Sequence, residues 1–330
     1  MNTRRDLLRV IGYDALVPAR DVFAQQTTKL PRLGILWHAA NAEQEKPYLE
    51  ALLLGLQQLG YTDGKTIELV HRFPDDVPER FAAMAAELIA LKSDVLVGAG
   101  PNASLALKNA TQKISVVFTL SPDPVASQLV SNLRRPGGNV TGLTNFGFQL
   151  GAKRLEYLKD TFPKLARVGL LVNPNAQVTR QYVQESQDGA AQLKLSAQPF
   201  EARTIEEIEP ALDAMVKARM QAAVVMSGGG IFFSARDRVA QMAIARRLPL
   251  MVYSRETFEG GALMSYGPDQ AAIFKRAASY VDKILKGTKT GDIPVENPTQ
   301  FELLINLKTA KAIGVRIPQS ILARAERVIE

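Results

Sequence analysis

The chain of 330 residues contains no cysteine, two histidines and one tryptophan. Without cysteine there is no disulfide, no thiol nucleophile and no thiolate metal site. His38 and His71 share neither HxH nor HxxxH spacing, which excludes a histidine-rich metal centre. The chain also has no GxSxG elbow, Walker A loop, HExxH helix or kinase signature set, so nucleophilic, phosphoryl-transfer and metalloprotease chemistries have no motif to rest on. Beyond the N-terminus no stretch approaches the ~20 apolar residues that span a bilayer. The formal charge of +7 is spread over helix faces, as at Lys153-Arg154, Arg236, Arg238, Arg246-Arg247 and Lys275-Arg276. No basic stripe interleaved with aromatics appears, so a nucleic-acid partner is not expected.

What is present is one pattern stated twice. Arg32-Leu33-Gly34-Ile35-Leu36, a turn-rich WHAAN, an amphipathic helix and a strand recur as Arg167-Val168-Gly169-Leu170-Leu171, VNPNA, a helix and a strand. The offset of about 135 positions is too long for a solenoid and right for a duplicated domain. Asp94-Val95-Leu96-Val97 leading to 114–118 has a similar counterpart in Ala223-Val224-Val225-Met226 leading to 248–253. Two similar α/β lobes create a cleft, and the cleft is the first place to seek function.

Residues 1–26 read as a leader: a basic start with Arg4-Arg5, an apolar stretch to Ala19, and Val22-Phe23-Ala24 before Gln25. Arg9 and Asp14 interrupt the apolar core, so a non-cleaved tail is the competing reading. From Pro31 onward, β-branched or apolar runs alternate with periodic helices, the signature of parallel sheets with crossover helices. The pattern predicts strands at 32–37, 66–72, 94–98, 114–120 and 140–146, with helices starting near Lys46, Pro78, Asn102 and Pro124. A second set of strands is expected at 167–172, 196–201, 222–227, 249–253 and 262–266. Phe81, Met84, Ala85, Leu88 and Leu91 fall at spacings of three and four and mark the helix from Pro78 as a core element. Crossings between lobes are expected at the Gly-rich 134–147, at GALMSYGPD and at 301–307, making a three-stranded hinge. A helix at 269–285 packs on the first lobe, and a short helix from Lys308 and a closing helix end the chain. The fold class is thus two doubly wound parallel-sheet lobes, one of 31–146 plus about 267–298, the other of 147–266 plus about 299–330.

Gly98-Ala99-Gly100-Pro101-Asn102-Ala103 matches GxGxxA between a strand and a helix, with Asp123 about 20 positions on, as a dinucleotide site would want for its ribose. Against this, the motif follows the third strand of its lobe, and Pro101 removes an N–H from a loop that would donate to a pyrophosphate. The bland alternative is a turn that lets a ligand approach a helix N-terminus. Asp75-Asp76 reads as a solvated pair in a Pro-rich loop, and Ser227-Gly228-Gly229-Gly230 as a strand-to-helix turn at the cleft. Candidate ligand-binding groups are those at carboxyl ends of strands: Trp37, His38, Gly100, Asn102, Ser104, Ser121 and Asp123 in the first lobe, and Asn173, Asn175, Ser227, Tyr253 and Ser254 in the second. Asn145 and Tyr266 stand on the crossings. For Trp37, stacking on a ligand and packing in the core are both open. If the ligand is an amino acid, the N–H groups near Asn102 and Ser104 would take its carboxylate and Asp123 its ammonium.

From Arg32 to Glu330 the chain resembles the ABC-transporter substrate-binding proteins of the tryptophan/tyrosine-binding type, carried by LLLGLQQLGYTDGKTIEL, RRPGGNVTGLTN, GGALMSYGPD, YVDKILKG, PTQFELLINLKTAKAIG and IPQSILARAERVIE. The resemblance implies a type I periplasmic binding-protein fold and a non-enzymatic receptor without cofactor. That receptor closes over a small polar metabolite, for example an aromatic or other amino acid, and presents it to a membrane permease from the periplasm, with no stable oligomer required. Two departures fall at the expected cleft: Gly100-Pro101 stands where relatives tend to have Gly-Thr, and Ser227-Gly228 where many have an acidic residue. The competing classes are a nicotinamide-dependent oxidoreductase using the Gly98–Gly100 turn and a cytoplasmic small-molecule sensor. The sensor would need a DNA-binding headpiece, for which the 30 residues before the fold are too few and too apolar.

Overall fold

A computed structural model describes residues 29–330 except 148, 177 and 227–229, so the leader and Ser227 lie outside the described residues. The first half runs β1 (Arg32–Leu36), α1 (Lys46–Gln58), β2 (Glu68–Arg72), α2 (Pro78–Ala90), β3 (Val95–Ala99), α3 (Pro101–Ala110), β4 (Ser115–Ser121) and β5 (Val140–Thr144). The second runs α4 (Leu150–Thr161), β6 (Arg167–Val172), α5 (Thr179–Gln192), β7 (Ser196–Glu201), α6 (Ile205–Lys217), β8 (Ala222–Val225), α7 (Gly230–Ser234), α8 (Arg236–Ala245), β9 (Leu250–Val252), α9 (Arg255–Glu259) and β10 (Met264–Pro268). The chain closes with α10 (Gln270–Leu285), β11 (Phe301–Asn306), α11 (Leu307–Ile313), α12 (Gln319–Leu322) and β12 (Arg327–Ile329).

The duplication is literal at the level of topology. The five strands of the first sheet lie in the order β2-β1-β3-β4-β5, all parallel. In the second, β7-β6-β8-β9-β10 repeats that order in parallel, and β11, antiparallel to β10, and β12 extend it. Each order reverses direction between the first and third strands of its repeat, the switch point at which doubly wound sheets bind ligands outside their carboxyl ends. Each sheet has one such point.

The helix 270–285 returns to the first sheet, where Ile273, Phe274, Ala277, Ala278 and Val281 join Leu33, Ile35, Tyr48 and Leu52 in one core. Its contact with α1 is close because Gly55 has no side chain; a Cβ there would lie 2.4 Å from the Lys275 carbonyl oxygen. Two of the three expected crossings lie side by side, β10 and β11 pairing antiparallel, and the other meets the segment before β11, where Thr144 N–H donates to the Glu296 carbonyl and its hydroxyl to Asn297 Oδ1 at 2.8 Å.

Two expected helices differ. Residues 124–128 form turns instead of a helix: Asp123 Oδ1 takes the N–H groups of Val125 and Ala126 as an N-cap would, but Gln128 adopts φ +55° and ends the run within one turn. The closing helix is only the four-residue α12, because the Glu326 N–H is drawn to the Leu303 carbonyl and the last residues pair with β11 as β12.

Candidate functional site

A cavity with a free volume of about 60 Å³ lies between the lobes, at the kind of interlobe position where small-molecule sites occur. Its walls come from both halves: His38, Tyr48, Asp76, Gly100, Pro101, Asn102 and Leu120 on one side, Gly230, Phe233 and Tyr253 on the other, with Asn145 on a crossing and Gln270 at the start of α10.

On the first-lobe side, the residues after β1 are held by Glu45. Its Oε1 accepts the N–H groups of His38 and Ala39 and sits 2.5 Å from the His38 imidazole, and the carboxylate is fully buried. Burial opposes the histidine charge, but Glu45 and the nearby Asp76 overcome it and raise the His38 pKa to about 9. Asp76 N–H donates to the His38 carbonyl at 2.7 Å, which draws this aspartate inward. Its Oδ2 is shut off from solvent with no hydrogen-bond partner among the described residues. Burial pushes its pKa above the usual carboxylate range, opposed by the His38 charge and by N–H donation from Gly230 and Ile231 at the start of α7. The fit is tight: a Cβ on Gly230 would stand 2.2 Å from Asp76 Oδ2.

The aromatic wall also joins the lobes. Phe233 stacks on Tyr48 with centroids 5.1 Å apart and tilts against His38 at 5.4 Å, packing into the first-lobe core although it belongs to α7. The Tyr48 hydroxyl donates to Gln270 Oε1 at 2.7 Å, with Glu256 Oε2 from α9 at 3.3 Å. Ser234 Oγ donates to Gln44 at 3.3 Å. These lobe-to-lobe contacts describe a closed arrangement.

Of the residues singled out from sequence, the structure brings His38, Gly100, Asn102, Asn145 and Tyr253 to the cavity. It places others elsewhere. Trp37 is fully buried, stacked against His71, Phe73 and Phe274, with its indole N–H on His71 Nδ1 at 3.0 Å, so it packs. Ser104 donates back to the carbonyls of Gly98 and Gly100. Asp123 is the turn residue described above, and Ser121 is buried at the end of β4 outside the lining. Asn173 organises its own turn by accepting the Asn175 N–H, and Asn175 is exposed. Ser254 caps α9 through a reciprocal pair with Thr257. Tyr266 packs on Tyr157 and Phe301. The residues missed are Tyr48, Asp76, Gly230, Phe233 and Gln270. Asp76 was read as solvated, and what shields it comes from the opposite lobe.

The dinucleotide reading fails on the same geometry. A Cβ on Gly98 would meet Ser104 Cα at 2.7 Å, so that glycine serves helix-to-strand packing, and Gly100 serves a turn at φ +86°. Asp123, the expected ribose acceptor, is spent on its own loop. Among the described residues no group of three metal-ligating side chains occurs.

Strand ends of both sheets meeting at an aromatic-walled cavity define a two-lobed solute-binding protein. The chain belongs to the ABC transporter substrate binding protein family, whose model matches residues 43–329. It is 25% identical over 280 residues to a tyrosine-binding protein of Clostridioides difficile strain R20291, covering 84% of this chain and 79% of that one. A conserved domain protein from Vibrio cholerae superposes with TM-score 0.84 at 26% identity, over 91% of this chain and all of that one. An ABC domain from Streptococcus pneumoniae in complex with L-Trp superposes with TM-score 0.83 at 25% identity, over the same shares. No helix among the described residues is long and apolar enough to cross a membrane.

Proposed function

We propose that the chain is the extracytoplasmic receptor of an ABC importer and that its cargo is an aromatic amino acid enclosed between the lobes. The observation that carries this reading is Asp76: a carboxylate that draws N–H donation from Gly230 and Ile231 yet whose Oδ2 is sealed from water without a hydrogen-bond partner among the described residues, beside Tyr48, Phe233 and Tyr253. A buried acceptor of this kind is costly unless a donor reaches it, and an ammonium group supplies one. The aromatic rings offer an apolar face to a side chain, and the amides of Asn102, Asn145 and Gln270 offer orienting hydrogen bonds. The relatives that bind tyrosine and tryptophan support the same class of ligand.

Closure follows from contacts made to both lobes at once, since a ligand that interacts equally with open and closed forms shifts nothing. The closed face would then meet a permease, and residues 1–26 would direct export to the periplasm. Titration calorimetry of the purified chain against the twenty amino acids tests the reading. Saturable binding of tryptophan, tyrosine or phenylalanine, weakened by Asp76→Asn, is expected; an absence of binding by any aromatic amino acid would overturn it.

A further inference from the structure

Arg154, in the first turns of α4, is 1% exposed and among the largest side chains buried to that degree. Its Nε donates to the Tyr266 carbonyl at 2.8 Å. Its Nη1 is buried, and among the described residues it has no hydrogen-bond partner and no carboxylate pairs with it, although fourteen other ion pairs are formed there. Burial lowers its pKa to about 10, against a partial opposing effect of Tyr182, Tyr253 and Tyr266. A guanidinium stays charged even so at neutral pH, and a buried charge without a counter-ion is among the costliest features a fold can carry.

Its position says what would relieve that cost. Nη2 lies 3.6 Å from where a Cβ on Gly267 would stand, and that same point is 2.1 Å from the Tyr253 carbonyl oxygen. Arg154 is therefore beside the residue that lines the second-lobe wall of the cavity. Tyr182, whose hydroxyl would be 1.7 Å from a Cβ on Gly147, flanks the crossing two residues after Asn145, which also lines it. We infer that Arg154 is the anion receptor of the cleft and holds the carboxylate of the ligand from the second lobe. The inference rests on the receptor reading above and deepens it: Asp76 takes the ammonium from one lobe, Arg154 the carboxylate from the other, and the ligand's own zwitterion bridges them.

The test compares L-tryptophan and L-tyrosine with their decarboxylated amines, tryptamine and tyramine, by calorimetry on the wild-type chain, Arg154→Gln and Arg154→Lys, with melting curves of each protein free of ligand. Wild type is expected to prefer the amino acid over its amine by ~30-fold or more, the scale of a lost buried charge pair. Arg154→Gln should erase that preference, leave amine affinity nearly unchanged, and melt no lower than wild type when free, because an unpaired charge has been removed. Arg154→Lys, which keeps the charge without the planar fork, should lose affinity for the acids only, and it carries the comparison if Arg154→Gln does not fold. A preference that survives in Arg154→Gln would hand the carboxylate to the start of α3 and overturn the inference. Equal loss of acid and amine affinity with a lower melting temperature would make Arg154 structural and overturn it too. If wild type binds no aromatic amino acid, the receptor reading fails in its cargo alone. A thermal-shift panel of aliphatic amino acids and dicarboxylates then decides: stabilisation lost in Arg154→Gln sustains the inference, and no carboxylate stabilising wild type overturns it.

Discussion

His38 couples the site to pH. Its pKa in the folded chain is raised to about 9 from an ordinary 6.5, so the stability it adds is fully present below ~6.5 and is lost as pH rises through 9. Thermal unfolding from pH 6 to 10 should show a loss of up to about 3 kcal/mol across that window, flattened in His38→Gln. Asp76 acts in the opposite sense on binding. Because burial raises its pKa, affinity for an ammonium-bearing ligand should fall on acidification before an ordinary aspartate would protonate. Asp76→Asn should cost about 2–4 kcal/mol of binding and remove that pH dependence, both measurable by calorimetry. Sequence pattern led to His38, Gly100, Asn102, Asn145 and Tyr253 because all follow strand ends, where doubly wound sheets present groups to ligands. It left Trp37 ambiguous, yet period-two alternation puts Trp37 on the face of Leu33 and Ile35, and all three share one core. Asp76 was illegible for a physical reason: no local pattern in a Pro-rich loop records that Gly230 and Ile231 of the other lobe will donate to its carboxylate.

The elements themselves were mostly legible, since alternating apolar strands and periodic helices specify period and length. Errors arose where the backbone turns or pairs away from the local pattern. Gln128 adopts φ +55° and ends the run that Pro124 would have opened, and pairing with β11 draws the C-terminal residues out of a helix. A helix at 269–285 packing on the first lobe was expected, but its close contact with α1 depends on Gly55. Gly55→Ala would place a Cβ 2.4 Å from the Lys275 carbonyl and should destabilise the chain by about 1–3 kcal/mol in chemical denaturation, with ligand affinity unchanged once the protein is folded. A stability equal to wild type would show that the two helices separate freely.

At the scale of the molecule, the internal duplication foretold two sheets of the same winding, and both have it. How they meet could not be read, because it depends on the fit of Phe233 beside Tyr48 and of Gly230 against Asp76. Those contacts make closure testable at one glycine. A methyl on Gly230 would press on Asp76 and His38, so Gly230→Ala should fold normally and bind its ligand at least tenfold more weakly. Ligand is expected to draw the lobes into this closed contact. The chain has no cysteine, so single cysteines replacing the exposed Lys65 and Lys217, one on each lobe, accept spin labels without background. Pulsed electron–electron distance measurement with and without the bound amino acid should show a broad distribution collapse to a shorter, narrower one, and Gly230→Ala should resist that collapse. Identical distributions in the free and saturated protein would contradict the account.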